Sequence, residues 1–280
     1  MPELVFFSAY GLDGWLLPKE DEGEGKVNSS NIQRLRLVNC NLSDEFFPIV
    51  PKLFANVQEL HLRNNNFIVI PECAKEFRVL KKLDLSDCLH LQKIRGIPPN
   101  MKEFRAEECE SLTSSTISKL LNQELHEAGN TYFILPGATI PEWFDHLSMR
   151  TSISFWFREK IPALLLCFVL SERADSFIII NGHKSRFDIH RIEMDHTILF
   201  DLRNTTHGSD LSDVFLENEW NHAEILYEDK MGNPIFIQSG IHLLEKESSM
   251  DDIRLINPCM KRKLDDGLTN PCRKKKIIKW

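Results

Sequence analysis

The sequence has no apolar run long enough to cross a bilayer. The longest, Ile161 to Leu170, is ten residues and contains Pro162, against the ~20 that a spanning helix needs. It also lacks a secretory leader: MPELVFFSAYGLDGW has an acid at Glu3, no basic start, and an apolar stretch broken by Tyr10, Gly11 and Asp13. A cytoplasmic location is therefore expected. The seven cysteines form an odd set with no C-x-x-C pair, which argues against a disulfide framework or a zinc site. Ten histidines occur without His-x-x-x-His or His-Glu-x-x-His spacing, so no metal centre is expected. There is no Gly-x-Ser-x-Gly elbow, and acidic pairs such as Glu107-Glu108 and Asp251-Asp252 lie in polar contexts that would not perturb their titration. The chain reads as non-enzymatic and free of cofactors.

Hydrophobic content of 42% and charged content of 27% suit a folded globular protein of about two domains. The formal net charge of −7 is unevenly spread: residues 261–280 carry eight Lys/Arg against two Asp, which leaves −13 on residues 1–260. An acidic body disfavours nucleic acid as a partner of the folded part. The tail runs Lys261-Arg262-Lys263 and Arg273-Lys274-Lys275-Lys276, nine residues apart, have the form of a bipartite nuclear-import signal.

Four segments follow one template: Ile32-x-x-Leu35-x-Leu37-x-x-Cys40, Val57-x-x-Leu60-x-Leu62-x-x-Asn65, Leu80-x-x-Leu83-x-Leu85-x-x-Cys88, and Met101-x-x-Phe104-x-Ala106-x-x-Cys109. This is a leucine-rich repeat, and Leu4-x-x-Phe7-x-Ala9-x-x-Leu12 is a fainter earlier copy. In each Leu-x-Leu core the two apolar side chains point inward and their neighbours outward, because alternate residues of a strand face opposite ways. Repeats stack to bury their apolar faces, and the outward residues line a concave sheet. Those residues are Arg34, Arg36, Val38, Glu59, His61, Arg63, Lys82, Asp84, Ser86, Glu103, Arg105 and Glu107. Of these, Arg34, Arg36, Glu59, His61, Arg63, Lys82, Asp84, Glu103, Arg105 and Glu107 are the candidate partner-binding set, since a surface of mixed sign suits a protein partner.

The pattern divides the chain into leucine-rich repeats over 1–113, with an acidic, glycine-rich loop at 19–31, then a capping helix and connector over 114–129. That helix is expected to start at Ser114 or Ser115 and to seal the end of the repeat solenoid with Ile117, Leu120, Leu121 and Leu125. From Thr131 the period changes to two. Ile153, Phe155 and Phe157 alternate with Ser154 and Trp156, and Asn181-Gly182 joins two strand candidates as a hairpin turn. Further candidates lie at 164–170, 197–202, 222–227, 235–238 and 240–244. Seven or eight short strands predict an all-β sandwich over 130–246, whose aromatics at Trp143, Phe144, Trp156 and Phe157 are expected to be mostly core. Residues 247–280 read as a disordered basic tail.

The string Phe133-Ile-Leu-Pro-Gly-Ala-Thr-Ile-Pro-Glu-Trp-Phe144, followed by Ser152-Ile-Ser-Phe-Trp-Phe-Arg158, resembles the start of the post-repeat domain of plant intracellular immune receptors, the TIR, nucleotide-binding, leucine-rich-repeat disease-resistance proteins. Asn39 to Asp44, Ile97 to Asn100 and Cys109 to Thr113 are similar to the terminal repeats of that family, and Ser239 to His242 to the last strand of its post-repeat domain. The resemblance covers roughly residues 1–245. It implies a jelly-roll or immunoglobulin-like sandwich that acts with the repeats to recognise a pathogen effector or a host guard protein in innate immunity. No phosphate-binding loop is assigned: Gly25-Lys26 is followed by Val27, and Glu20 stands where the first glycine would be. The expected role is recognition without signalling, in the cytoplasm and, through the tail, the nucleus. The alternative is a truncated receptor-derived regulator or decoy that associates with full-length immune receptors, suggested by Met1 falling within the repeats.

Overall fold

The computed structural model describes residues 6–11, 31–172, 174–190, 194–206, 214–216, 219–235, 237–244 and 250–255. Most of the acidic loop at 19–31 and all of the basic runs at 261–276 lie outside them. The repeats form seven short strands: β1 (Phe6–Tyr10), β2 (Arg34–Val38), β3 (Glu59–His61), β4 (Val69–Ile70), β5 (Lys82–Asp84), β6 (Lys93–Ile94) and β7 (Glu103–Arg105). Strands β1, β2, β3, β5 and β7 lie side by side and parallel, with Phe7, Leu35, Leu60, Leu83 and Phe104 in register. Leu35, Leu37, Leu60, Leu62, Leu83, Leu85, Phe104 and Ala106 all point into one core. The small β4–β6 pair lies outside that sheet.

The residue two places after each inward pair turns the chain. Asn39, Asn64, Asp87 and Glu108 hold φ of 54°, 54°, 62° and 60°, a left-handed conformation that Asn and Asp tolerate better than most residues. Immediately after it, Asn65 is buried. Its side chain accepts from the Cys40 and Leu42 amides, both at 3.0 Å, and donates to the Leu37 and Leu62 carbonyls, both at 2.9 Å, and to Arg63 O at 3.2 Å. Where cysteine replaces asparagine the thiol keeps part of that role: Cys88 Sγ donates to Leu62 O and Cys109 Sγ to Leu85 O. These cysteines are hydrogen-bond donors between repeats as well as small apolar fillers.

The expected single helix over 114–129 is two short ones, α1 (Ser114–Leu120) and α2 (Gln123–His126). The break falls at Asn122, whose side chain caps the second by accepting from Glu124 N; Thr113, before Ser114, occupies the cap of the first. Leu120 and Leu121 do pack on the repeat core, yet they do not close the sheet. That role belongs to β8 (Tyr132–Pro136), which pairs parallel to β7.

Nine further strands follow: β9 (His146–Arg150), β10 (Ser152–Arg158), β11 (Leu164–Leu170), β12 (Ala174–Ile180), β13 (His183–His190), β14 (His196–Asp201), β15 (Trp220–Glu228), β16 (Ile237–Leu243) and β17 (Ile253–Leu255). One sheet of ten strands runs β1-β2-β3-β5-β7-β8-β14-β11-β16-β9, and a second of five runs β13-β12-β15-β10-β17. Beyond the β7–β8 pair every ladder in both is antiparallel. Alternating residues of the two sheets, among them Ile134, Phe168, Phe200, Phe155, Ile178 and Ile225, share a second core. Strands β8, β9 and β17 fall outside the strand candidates of the sequence. Strand β9 has only Leu147 and Met149 as apolar residues, the latter 71% exposed at the sheet edge, and β17 lies inside the segment read as disordered tail, where Ile253 is nonetheless buried against the second core. The two candidates at 235–238 and 240–244 meet in one strand, β16. Gly240 sits within it because an added Cβ would lie 3.0 Å from Ile140 Cγ2 and Phe144 Cδ1.

Replacing Asn65 by Ala removes five hydrogen bonds and leaves buried amides and carbonyls without partners, so urea unfolding should show a loss of about 2–4 kcal/mol. A loss under about 0.5 kcal/mol would mean that water replaces the amide.

Candidate protein-interaction surface

The register turns the outward residues of the repeats into rows across the sheet. Arg34, Glu59, Lys82, Glu103 and Tyr132 form one row; Arg36, His61, Asp84 and Arg105 form the next. Neighbouring strands are ~4.8 Å apart, so alternating charges along a row meet as ion pairs. Arg34 pairs with Glu59 at 2.5 Å, Lys82 with Glu103 at 2.7 Å, and Arg105 with Glu103 at 2.8 Å and Glu107 at 3.3 Å. His61 stands between Glu59 and Asp84, at 3.7 and 3.6 Å. Arg63 reaches Asp87 at 2.8 Å. The arginine hydrogen bond to Glu59 holds its carboxyl below the ordinary value. Burial alone would raise Asp84, but hydrogen bonds from His61 and Ser86, with the charge of Arg63, keep it low. Both therefore stay ionised at neutral pH.

Exposure in the rows is greatest on β2. Arg34 and Arg36 are exposed, the β3 residues are half-buried, and Asp84, Ser86 and Glu107 are buried at 5%, 0% and 9%. Asp84 and Glu107 belong to the candidate partner-binding set and Ser86 to the outward positions beside it, and their burial withdraws all three from the solvent face. Asp84 lies between His61 of β3 and Arg105 of β7, and beyond β7 the sheet continues in β8, where Tyr132 lies under the Arg105 guanidinium, 5.0 Å from ring centre to Cζ. Arg36 is the member of the candidate set with no ion pair among the described residues, and it faces outward between Ser8 and His61.

Parity then places the second sheet. Phe133 and Leu135 of β8 join the repeat core, whereas Tyr132 and Ile134 turn to the second core. The face of the ten-stranded sheet that bears the charged rows is thus the face on which the five-stranded sheet stands. Its β13 edge lies nearest the repeats, since Phe187 meets Phe200 of β14 at 5.6 Å and β14 neighbours β8. The rows run up to a wall.

The junction is held by buried side chains. Phe104 and Phe133 are 5.7 Å apart across the β7–β8 pair. His196, fully buried, accepts from the Glu108 amide at 3.0 Å and so supports that residue's left-handed turn. Trp143 donates from Nε1 to Leu121 O at 2.9 Å and stacks on His126 at 6.2 Å. Of the four singled-out aromatics, Phe144 and Phe157 are core, Trp143 is partly buried at this junction, and Trp156 faces out at 38% exposure.

No group of three or more His, Cys, Asp or Glu among the described residues has the geometry for a metal ion. Burial pushes the Cys88 thiol up to about 12, and Cys109 and Cys167 rise further, so none is a thiolate nucleophile near neutrality. No helix among the described residues is long and apolar enough to cross a membrane.

Burial lowers the His126 imidazole to about 4, against a backbone hydrogen bond to Leu120 O that favours the charged form. A folded value below the unfolded ~6.5 gives stability that is full above pH ~6.5 and is lost as pH falls towards about 4. Between pH 7.5 and 5 the loss from this group should be about 2 kcal/mol in urea unfolding. A His126→Phe variant should flatten that part of the profile; an unchanged slope would show that the ring is solvated when protonated.

Residues 25–123 match the family model described as the leucine-rich repeats of RPS4B-like disease resistance protein. The chain is 30% identical over 77 residues to TMV resistance protein N of Nicotiana glutinosa, covering 28% of this chain and 7% of that protein. It is 24% identical over 164 residues to disease resistance-like protein DSC2 of Arabidopsis thaliana, covering 52% of this chain and 13% of that protein. The matched region is a small fraction of either relative's length.

Proposed function

Because the chain belongs with the leucine-rich-repeat disease-resistance proteins of plants, of the TIR-type nucleotide-binding class, we propose that it is a non-catalytic recognition portion of an intracellular innate immune receptor. In this reading the repeats of 1–113 form the last turns of a solenoid. The unit over 130–246 is a jelly-roll sandwich rather than an immunoglobulin-like one. The strand order supports that form: β9-β16-β11-β14 against β10-β15-β12-β13 is two interleaved four-stranded sheets, as two Greek keys produce. The ligand is a pathogen effector or a host guard protein, bound in the cytoplasm, with the tail adding nuclear import.

One observation carries the reading: the five-stranded sheet stands at the end of the charged rows, on their own face, so that rows and sheet edge offer two adjoining sides to one ligand. There the contact residues are Arg34, Arg36, Glu59, His61 and Arg63, together with Phe6 and Tyr10, exposed at 48% and 73%. Aromatic and arginine side chains are the usual anchors of interfaces. Lys82, Asp84, Glu103, Arg105 and Glu107 chiefly neutralise one another and set the wall. A second reading, a receptor-derived regulator or decoy, is favoured by β1, which pairs with β2 alone among the described residues and so offers a strand edge to a full-length receptor.

Proximity labelling in leaf tissue with the chain as bait should retain a defined effector or host protein. An Arg36→Glu variant, at a residue with no ion pair among the described residues, should lose it by about tenfold or more at unchanged thermal stability. Recovery of chaperones alone, or of the same partner by the variant, would count against recognition through this face; recovery of full-length receptors alone would favour the decoy.

A further inference from the structure

The far side of the five-stranded sheet carries a cluster that the concave face does not use. Strand parity sends Ile153, Phe155 and Phe157 of β10 inward, and Ser154, Trp156 and Arg158 outward; on β15, Trp220, His222 and Glu224 face the same way, as does Arg254 of β17. Trp156 stands opposite both His222 and Arg254, and Arg158 opposite Trp220. The Trp220 indole meets two guanidiniums, Arg158 at 4.7 Å and Arg254 at 4.2 Å from the ring centre. Trp156 and His222 are 4.8 Å apart.

Neither arginine makes an ion pair among the described residues. Elsewhere on this sheet the outward cations are matched, Lys184 with Glu228 and Arg186 with Asp175. Glu224, opposite Ser154 and Ile179, pairs with neither. A guanidinium laid on an aromatic face loses side-chain freedom but keeps its N–H edge, the group that takes a carboxylate in bidentate fashion. Trp156 beside it supplies apolar area. The rim is charged otherwise: Glu159, Lys160, Glu219, Asp251 and Asp252 are exposed at the ends of these strands. Four carboxylates around two arginines repel a polyanion, as does the acidic body. They accommodate a segment that is acidic only at its centre.

We propose that this corner is a second protein-binding site, independent of the concave face, for a short segment of a partner in which one or two central carboxylates dock on Arg158 and Arg254. An adjacent apolar side chain packs on Trp156, and flanking basic residues meet the acidic rim. Arginine and tryptophan carry most of the affinity in such a patch.

The probe is a synthetic peptide with a central Glu-Glu-Leu flanked by lysines, titrated into the full ¹⁵N-labelled chain. The indole N–H signals of Trp220 and Trp156 should shift, with Trp143 unchanged. Gln in place of the two peptide glutamates, or Arg158→Gln with Arg254→Gln in the protein, should each weaken binding about tenfold, and Arg254→Lys should fall between because it keeps charge without the fork. The peptide substitution reads the same contact if the protein variant fails to fold. Equal binding of the Gln peptide, no shift of either indole, or tighter binding of oligo-dT at the same signals would each overturn the proposal.

Discussion

The parallel pairing of β7 with β8 is the constraint on which the rest of the molecule depends. Tyr132 donates its amide to Lys102 O at 2.8 Å and Ala106 donates to Ile134 O at 2.9 Å, so the last repeat has no free edge and the second unit no separate first strand. Because side chains alternate, this register alone decides that Phe133 and Leu135 extend the repeat core while Tyr132 and Ile134 join the second one. A slip of one residue would exchange the two sets. Phe133 would then leave its contacts with Phe104 and His126, and the five-stranded sheet would be directed to the other side of the repeats.

The same pairing divides the charged rows into two kinds. Near β7 the desolvation caused by β8 and the second sheet makes an unpaired charge costly, and there Lys82, Glu103, Arg105 and Glu107 form a closed network. Near β1 and β2 the side chains remain in water, where an exposed pair such as Arg34–Glu59 contributes little to stability. Arg36 can stay unpaired there without penalty. Stability and binding are thus assigned to opposite ends of one surface by the distance of each strand from the wall.

How much of this was legible in the sequence follows from what each signal encodes. The repeat template gave strand positions and inward faces correctly at Leu35, Leu60, Leu83 and Phe104, since a fixed period specifies both. Inward and outward alternation on β10 and the Asn181-Gly182 turn were legible for the same local reason. What was not legible is pairing. Phe133-Ile134-Leu135 stands outside the strand candidates read from the sequence, and three apolar residues in a row do not name a neighbour, so the continuity of the sheet through β8 could not be read from them. Strand β9 was hidden because His146-Leu-Ser-Met-Arg150 at a sheet edge is half-exposed on both faces, and β17 because one buried residue, Ile253, holds it.

The string from Phe133 to Phe144 takes on physical meaning once these contacts are known. Phe133 continues the repeat core; Gly137 turns at φ +97°, and its amide bonds Asp195 O at 2.7 Å. Thr139 is tied to Thr197, Trp143 to Leu121 O, and Phe144 is seated against Gly240. The buried residues of the string attach the second unit to the repeats, to the helices or to β14 and β16, and only Ala138, Thr139 and Glu142 within it are exposed. The buried residues of the string that carry the resemblance are therefore those that join repeats and wall. Under the proposed function, specificity belongs to residues that the string does not include, at the exposed end of the rows and on the outer faces of the wall, where substitution leaves the joint intact.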